Sequence, residues 1–533
     1  LAAAGIPATD QDLQRLEADG YLDRVAEARE VLSTVEGSGL PDFLARWSPT
    51  MVEGSSDDLR GADKPEDAVR ERSGAASAGR VDALEDGMPS RLSEVADLVR
   101  RKEVSPVELT ERALARIATQ DRALNLFQTV LADEAMEAAR RAEAEIVRGT
   151  YRGALHGIPV AAKDLFDMKG TATTAGSIVR PDKVRDTDAA AVTNLREAGA
   201  VIVGKTRLSE FAYWPGSTNP HYGPTRNPRD HEHDAGGSSS GSAAAVASGC
   251  VYAALGTDTG GSIRIPAALC GVVGHKPTFG RASLAGCVPL AWSLDHVGPL
   301  TRHVEDASLV LEVLCGQDSR DSRTRAWSTY RGPAHAWPAG TAPLDGVRVG
   351  VMSSDGLGQE MGSDEAMAAW RDGNERLRAR GAELVDVDLS DMHVLWRISS
   401  LILAVEAASF HARSLREHYE DYGRFCRGRL VGAFAYGFED LMQAQRLRAE
   451  LRARWSRLWG RVDVLSTPCQ PQTAPALGVA ASTRYTNPFN ALGWPAVSVP
   501  FGAGRTGLPL GTQIDGRPWS DGEVLRVAAA LEG

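Results

Sequence analysis

The chain has 533 residues, 43% of them hydrophobic, and a formal net charge of −11. That length and apolar content describe a globular protein with a large core. The acidic balance excludes a general electrostatic footprint for nucleic acid. Six cysteines, at 250, 270, 287, 315, 426 and 469, include no C-x-x-C pair; they are expected as free thiols of a reducing, cytoplasmic protein that holds no metal.

Residues 1 to about 50 are expected as two or three short helices, with Leu13, Leu16 and Leu22 spaced as an apolar stripe. The start lacks the basic and apolar regions of a secretory leader, so none is expected there. Residues 53–88 are polar, charged and poor in large apolar groups, the composition of a linker. Ser105, Pro106, Val107 and Glu108 then form a capping box with proline at the first helical position. Leu109, Ala113, Leu114 and Ile117 mark the buried face of that helix. From about residue 155 short β-branched runs alternate with helical stretches, at Ile158 to Ala162, Ala200 to Val203, Val347 to Val351, Leu384 to Val387, Val462 to Leu465 and Val497 to Val499. Such alternation predicts an α/β fold, a sheet covered by helices. No apolar run reaches the roughly 20 residues of a membrane span, and Ile398 to Phe410, broken by Glu406, is expected as a core helix. No membrane association is expected.

Several chemical motifs fail on context. GAVIVGKT at 199–206 matches the phosphate-loop pattern G-x-x-x-x-G-K-[ST]. A buried strand occupies the place of the loop, so Lys205 is expected as an ordinary residue following a strand. GSSSG at 237–241 matches the G-x-S-x-G elbow centred on Ser239. That elbow needs an apolar strand immediately before it, whereas NPRDHEHD at 227–234 is expected as a polar loop. His231, Glu232 and His233 lack a third ligand at a diagnostic spacing and are expected to be solvated.

Three segments carry more. LHGIPVAAKDLF at 155–166 ends an apolar strand on Lys163, where an ammonium would be partly desolvated. AGGSSSGSAAAVASG at 235–249 combines glycines with the start of a small-residue helix. GTDTGGSIRIP at 256–266 sets Ser262 after two glycines, which would let several backbone N–H groups converge on one point. In this order, and with GVVGHKPT at 271–278, SLDHVGP at 293–299, DVLSTP at 463–468, NPFN at 487–490 and GTQIDG at 511–516, they resemble the amidase signature family. The resemblance covers roughly 88–533.

The resemblance implies a single large mixed β-sheet flanked by α-helices, with residues 88–533 as the catalytic domain and 1–87 as a helical N-terminal extension and polar linker. It implies a Ser-Ser-Lys triad: Ser262 the nucleophile, Ser238 the proton relay, Lys163 the base. It also implies a cis Gly237–Ser238 peptide and an oxyanion hole from the amides of Thr259, Gly260, Gly261 and Ser262, with no cofactor. A lysine base at neutral pH needs its pKa lowered to about 7 to 8, worth roughly 4 kcal/mol; desolvation is the expected source. Ser239, Ser240 and Thr257 are expected to add hydrogen bonds, and Asp258 and Arg264 to brace the loop. Ser240 and Ala235 depart from the family's common glycine and proline, which bears on loop rigidity. Tyr213, Trp214 and Trp292 are expected to line the acyl pocket.

The leading expectation is a hydrolase of a small-molecule amide, with an aryl amide or a carbamate (a urethanase) as the candidate substrates and a homodimer as its assembly. The glutaminase subunit of the tRNA-dependent amidotransferase belongs to the same family and is the alternative. The N-terminal extension, and GAFAYGFEDLMQAQ at 432–445 in place of a tyrosine-rich stretch, set it second. A non-catalytic amidase-like binding module comes third, because all three triad positions are filled.

Overall fold

The computed structural model describes residues 5–18, 20–33, 84, 87–180, 184–332, 344–356 and 361–532. Most of the linker expected at 53–88, and the side chain of Leu13, lie outside them. In chain order the elements begin with α1 (Asp10–Ala18), α2 (Tyr21–Ser33), α3 (Leu92–Arg100), α4 (Pro106–Leu124), β1 (Phe127–Val130) and α5 (Ala132–Val147). There follow β2 (Pro159–Lys163), α6 (Ala190–Glu197), β3 (Val201–Thr206), β4 (Arg226–Asn227), β5 (Asp230–Asp234), α7 (Ser240–Ala247), β6 (Ala253–Asp258), α8 (Arg264–Cys270), β7 (Val273–Lys276), β8 (His296–Thr301) and α9 (Val304–Leu314). The chain closes with β9 (Arg348–Ser354), α10 (Asp364–Ala379), β10 (Glu383–Asp388), α11 (Met392–Glu417), α12 (Arg424–Ala433), α13 (Phe438–Trp455), β11 (Val464–Pro468), α14 (Asn487–Leu492), β12 (Ala496–Ala503), β13 (Pro509–Gly516) and α15 (Asp521–Leu531).

Eleven strands form one mixed sheet in the order β1-β3-β2-β6-β8-β7-β12-β13-β11-β9-β10, as the α/β reading requires. β2 runs parallel to both β3 and β6, with Ala162 beside Leu255. Their C-terminal ends therefore emerge on one edge, where open α/β sheets place ligands. Lys163 is the last residue of β2 and Asp258 the last of β6.

Ser105 caps α4 by accepting from the amides of Val107 and Glu108, and Leu109, Ala113 and Ile117 are buried beneath it while Leu114 is half-buried. α7 is buried along its length because alanines and serines let it lie between the sheet and its neighbours. The glycine before it has no room for a side chain: a Cβ on Gly237 would sit 2.0 Å from the Gly216 carbonyl oxygen. α11 contains the expected core segment Ile398 to Phe410. Among the described residues it is the one helix long and apolar enough to cross a membrane, and half of its apolar window is buried in the fold.

Three local expectations are corrected. Leu16 is buried but Leu22 is 45% exposed, so the leucine stripe is not the inward face of the first two helices. NPRDHEHD is not a loop: it builds the small hairpin β4–β5, with Asn227 opposite Asp230. Its polar strand lies outside the main sheet, so the apolar strand of a nucleophile elbow is still missing. Finally, Lys205 lies inside β3, fully buried, where Asp164 neutralises it at 2.6 Å and the Ala172 carbonyl and Thr173 hydroxyl accept its remaining protons. A buried cation needs such partners, and they leave nothing for a phosphate.

The N-terminal helices pack on the C-terminal helical layer. Leu16 joins Tyr419, Tyr422 and Leu430. Ala28 and Leu32 join Ile398, Ile402, Leu447 and Leu451. Arg29 donates to both carboxylate oxygens of Asp440 and, at 2.7 Å, to the Ala435 carbonyl.

Candidate active site

The C-terminal edge of β2 and β6 brings three expected residues into one region. Lys163 Nζ donates to Ser238 Oγ at 2.8 Å, Ser239 Oγ at 2.9 Å and Thr257 Oγ1 at 2.9 Å. The parallel register puts Thr257 of β6 within reach of the strand-terminal lysine, and the turn before α7 lowers Ser238 and Ser239 onto it. Ser240 contributes nothing here. It is the first residue of α7, and its buried hydroxyl has no protein partner among the described residues. The Gly237–Ser238 peptide is cis.

Lys163 is completely buried, and desolvation pulls its pKa down to about 7; the nearby Cys287, Asp258 and Asp295 oppose that fall without cancelling it. The amine is thus half neutral near physiological pH. Ser238 is fully buried beside it, while Ser262 is 8% exposed and reaches a cavity. The Ser239 amide donates to the Ser262 carbonyl at 3.2 Å, which ties the two serine loops together.

Asp258 organises the turn that carries Ser262. Its carboxylate accepts from the amides of Gly261 at 2.8 Å and Ile263 at 3.1 Å and from the Arg264 guanidinium through both oxygens. Burial alone would raise its pKa, but Arg264 and Lys276 hold it below the usual carboxylate range. Arg264 is buried too, and Gln513 and Asn490 each accept one further guanidinium proton. This is a bracing pair, as expected.

It also corrects the oxyanion expectation: the Gly261 N–H is turned inward to Asp258 and is not free for substrate. The amides of Thr259, Gly260 and Ser262 have no partner among the described residues. Thr486 fixes the Gly260 carbonyl at 2.7 Å, and the Thr259 hydroxyl donates to Asp295 at 2.6 Å. Burial raises Asp295 to about 6, and it also accepts the amides of Leu290 and Ala291.

The cavity has a volume of about 380 Å³, and Thr259, Gly260 and Ser262 lie in its wall. Tyr213 and Trp214 line it. Trp214 stacks on Phe425 at 4.7 Å between ring centres, and Arg429 lies over both Tyr213 and Trp214. Trp292 does not line it: the side chain is 61% exposed and packs against Arg323 on the surface. The contribution of α2, whose Tyr21, Arg24, Val25 and Ala28 complete the wall, was not foreseen from the sequence. Their i, i+3, i+4, i+7 spacing marks one helical face, but nothing in the sequence says what that face covers. The six cysteines are free, and among the described residues no cluster of His, Cys, Asp and Glu is arranged for a metal.

A family model described as Amidase matches residues 108–525. A glutamyl-tRNA(Gln) amidotransferase subunit of Anaeromyxobacter dehalogenans is 41% identical over 481 residues, covering 83% of this chain and 95% of that protein. A protein of Pseudomonas putida described as an amidase is 38% identical over 456 residues, covering 83% and 95%. Among solved structures, the native peptide amidase from Stenotrophomonas maltophilia matches with a TM-score of 0.73 at 30% identity, covering 83% of this chain and 96% of that one.

Proposed function

The chain belongs to the amidase family, and from that premise we propose that it hydrolyses the carbon–nitrogen bond of an amide through an acyl-enzyme on Ser262. The observation that carries this reading is a buried amine, lowered to about 7 and bonded to Ser238, on a loop tied through the Ser239 amide to that of Ser262, which opens on a cavity. Neutral Lys163 takes the Ser238 proton while Ser238 takes that of Ser262, whose Oγ attacks the carbonyl carbon. The amides of Thr259, Gly260 and Ser262 receive the oxyanion, where one such donor is worth about 2.7–4 kcal/mol. Collapse breaks the C–N bond as the proton returns through Ser238 to the leaving nitrogen, freeing an amine or ammonia. Water then attacks the ester, losing its proton along the same path, and Ser262 is restored.

Two substrate readings remain within that chemistry. The name borne by the 41% identical relative favours the glutaminase subunit of an amidotransferase, the reading set second by the sequence. The aromatic and aliphatic cavity wall, completed by α2 outside the matched residues 108–525, supports an amidase acting alone on a small amide. Purified chain offered glutamine and a series of acyl 4-nitroanilides separates the two. Glutamine-dependent ammonia release, raised by a partner subunit, supports the first; steady anilide turnover by the chain alone supports the second. Absence of both overturns the proposal.

A further inference from the structure

The N-terminal helix pair lies outside the residues matched by the family model, yet one face of α2 forms part of the wall that Ser262 shares. Its placement is fixed by specific contacts. Besides the Arg29–Asp440 pairing, Glu27 pairs with Arg397 at 2.7 Å. The Tyr21 ring lies on α12, where a Cβ on Gly432 would stand 3.1 Å from it. Val25 and Ala28 are buried beneath that face.

The charges around this wall do not balance. Arg24, Arg397 and Arg429 line the cavity, and among the described residues no Asp or Glu does. Arg397 is neutralised by Glu27. Arg429 donates to the Tyr213 carbonyl at 3.0 Å and lies over two aromatic rings, with no carboxylate partner among the described residues. Arg24 is exposed at the cavity. Its side chain has no ion pair among the described residues and lies against the Tyr21 ring, 5.2 Å away. Arg29 of the same helix is paired with Asp440, so among the described residues of α2 Arg24 is the cation at the cavity without an ion pair.

We propose that α2 is a specificity wall of the active site and that Arg24 receives a carboxylate carried by the substrate away from its scissile amide. This rests on the amide-hydrolase reading above. A guanidinium fits a carboxylate through two parallel N–H donors, while the aromatic and aliphatic wall takes the uncharged body of the molecule.

The test compares glutaryl 4-nitroanilide with its methyl ester, which differ only in the distal charge. In Arg24→Gln, kcat/KM for the acid is expected to fall about tenfold through KM, with a much smaller change on the ester; Arg24→Lys, which keeps the charge but not the two-donor fork, is expected to recover only part of the loss. An acid-to-ester ratio equal to that of the wild type, or equal losses on both substrates, overturns the role of Arg24 while leaving the hydrolase reading standing. Should the wild type cleave neither substrate, the hydrolase reading is decided by the glutamine and anilide series above. Arg24 is then judged by binding to the Ser262→Ala protein. A Tm rise with glutaryl 4-nitroanilide that Arg24→Gln removes supports the proposal, and a rise of the same size in both, or in neither, overturns it.

Discussion

Thr257→Val perturbs the base without touching the reacting serines. An ammonium has three protons to donate, and all three directions from Lys163 Nζ end on hydroxyl oxygens at 2.8–2.9 Å. The neutral amine has only two protons and a lone pair, so removing one acceptor weakens the charged form more. A hydrogen bond to a charged group is worth about 1.5–3 kcal/mol and one to a neutral group about 0.5–1.5 kcal/mol. The difference is about 1–1.5 kcal/mol, a factor of roughly five to ten in the protonation equilibrium. In the wild type the acid limb of kcat/KM is expected to be half-maximal near pH 7, because the base works only when neutral. In Thr257→Val that limb moves to lower pH by about 1. At pH 6 the wild type then keeps roughly a tenth of its plateau and the variant roughly half. Thr257→Ser retains the hydroxyl and leaves the limb in place. The assay is kcat/KM against pH with one amide substrate. A limb that stays put in Thr257→Val, or moves upward, refutes Lys163 as the group that sets it.

Lys163→Met abolishes turnover but spares stability. In the folded chain the lysine is lowered from 10.5 to about 7, so its burial costs roughly 5 kcal/mol at pH 7 and below. That cost fades as pH rises from 7 toward 10.5, because there the unfolded chain holds the proton and the folded chain does not. The methionine escapes the cost and loses three hydrogen bonds of about 1 kcal/mol each. Urea unfolding is expected to find it at least as stable as the wild type at pH 7, the advantage shrinking by about pH 10. Arg264→Met strands the Asp258 carboxylate in the interior and lowers stability by about 3–5 kcal/mol, read from the same unfolding curves. A Cβ on Gly237 meets the Gly216 backbone, which cannot swing aside, so Gly237→Ala loses activity and several degrees of Tm; Gly460→Ala, in open space, loses neither.

The edge that carries the candidate site was legible in the sequence because each of its three segments is a short motif and their order resembles a known family. Lys163 ends an apolar strand, and the two glycine-serine turns announce themselves locally. β6 to β8 and β13 were harder to see. VGHK in β7, HVGPLT in β8 and PLGTQIDG in β13 mix glycine, proline and polar residues, and their strand state is set by neighbours on both sides of the sheet. Lys205 was misread because an isolated lysine gives no hint that Asp164, 41 positions earlier, ends up at 2.6 Å. Trp292 shares a segment with Asp295, yet Asp295 turns inward to Thr259 and the indole turns out. In the N-terminal helices the leucines suggested the inward face, while the face that meets the cavity is Tyr21, Arg24, Val25 and Ala28. Periodicity identifies a face but not its partner.

The account stands on Ser262 as the nucleophile activated by Lys163. The direct measurement is peptide mapping by mass spectrometry after fluorophosphonate labelling across about pH 5–9, a range that spans the titration of the base. The expected result is one adduct per chain on Ser262, absent in Ser262→Ala, with a labelling rate half-maximal near pH 7. An adduct on Ser238 or Ser239, or a rate that does not change with pH, would contradict it.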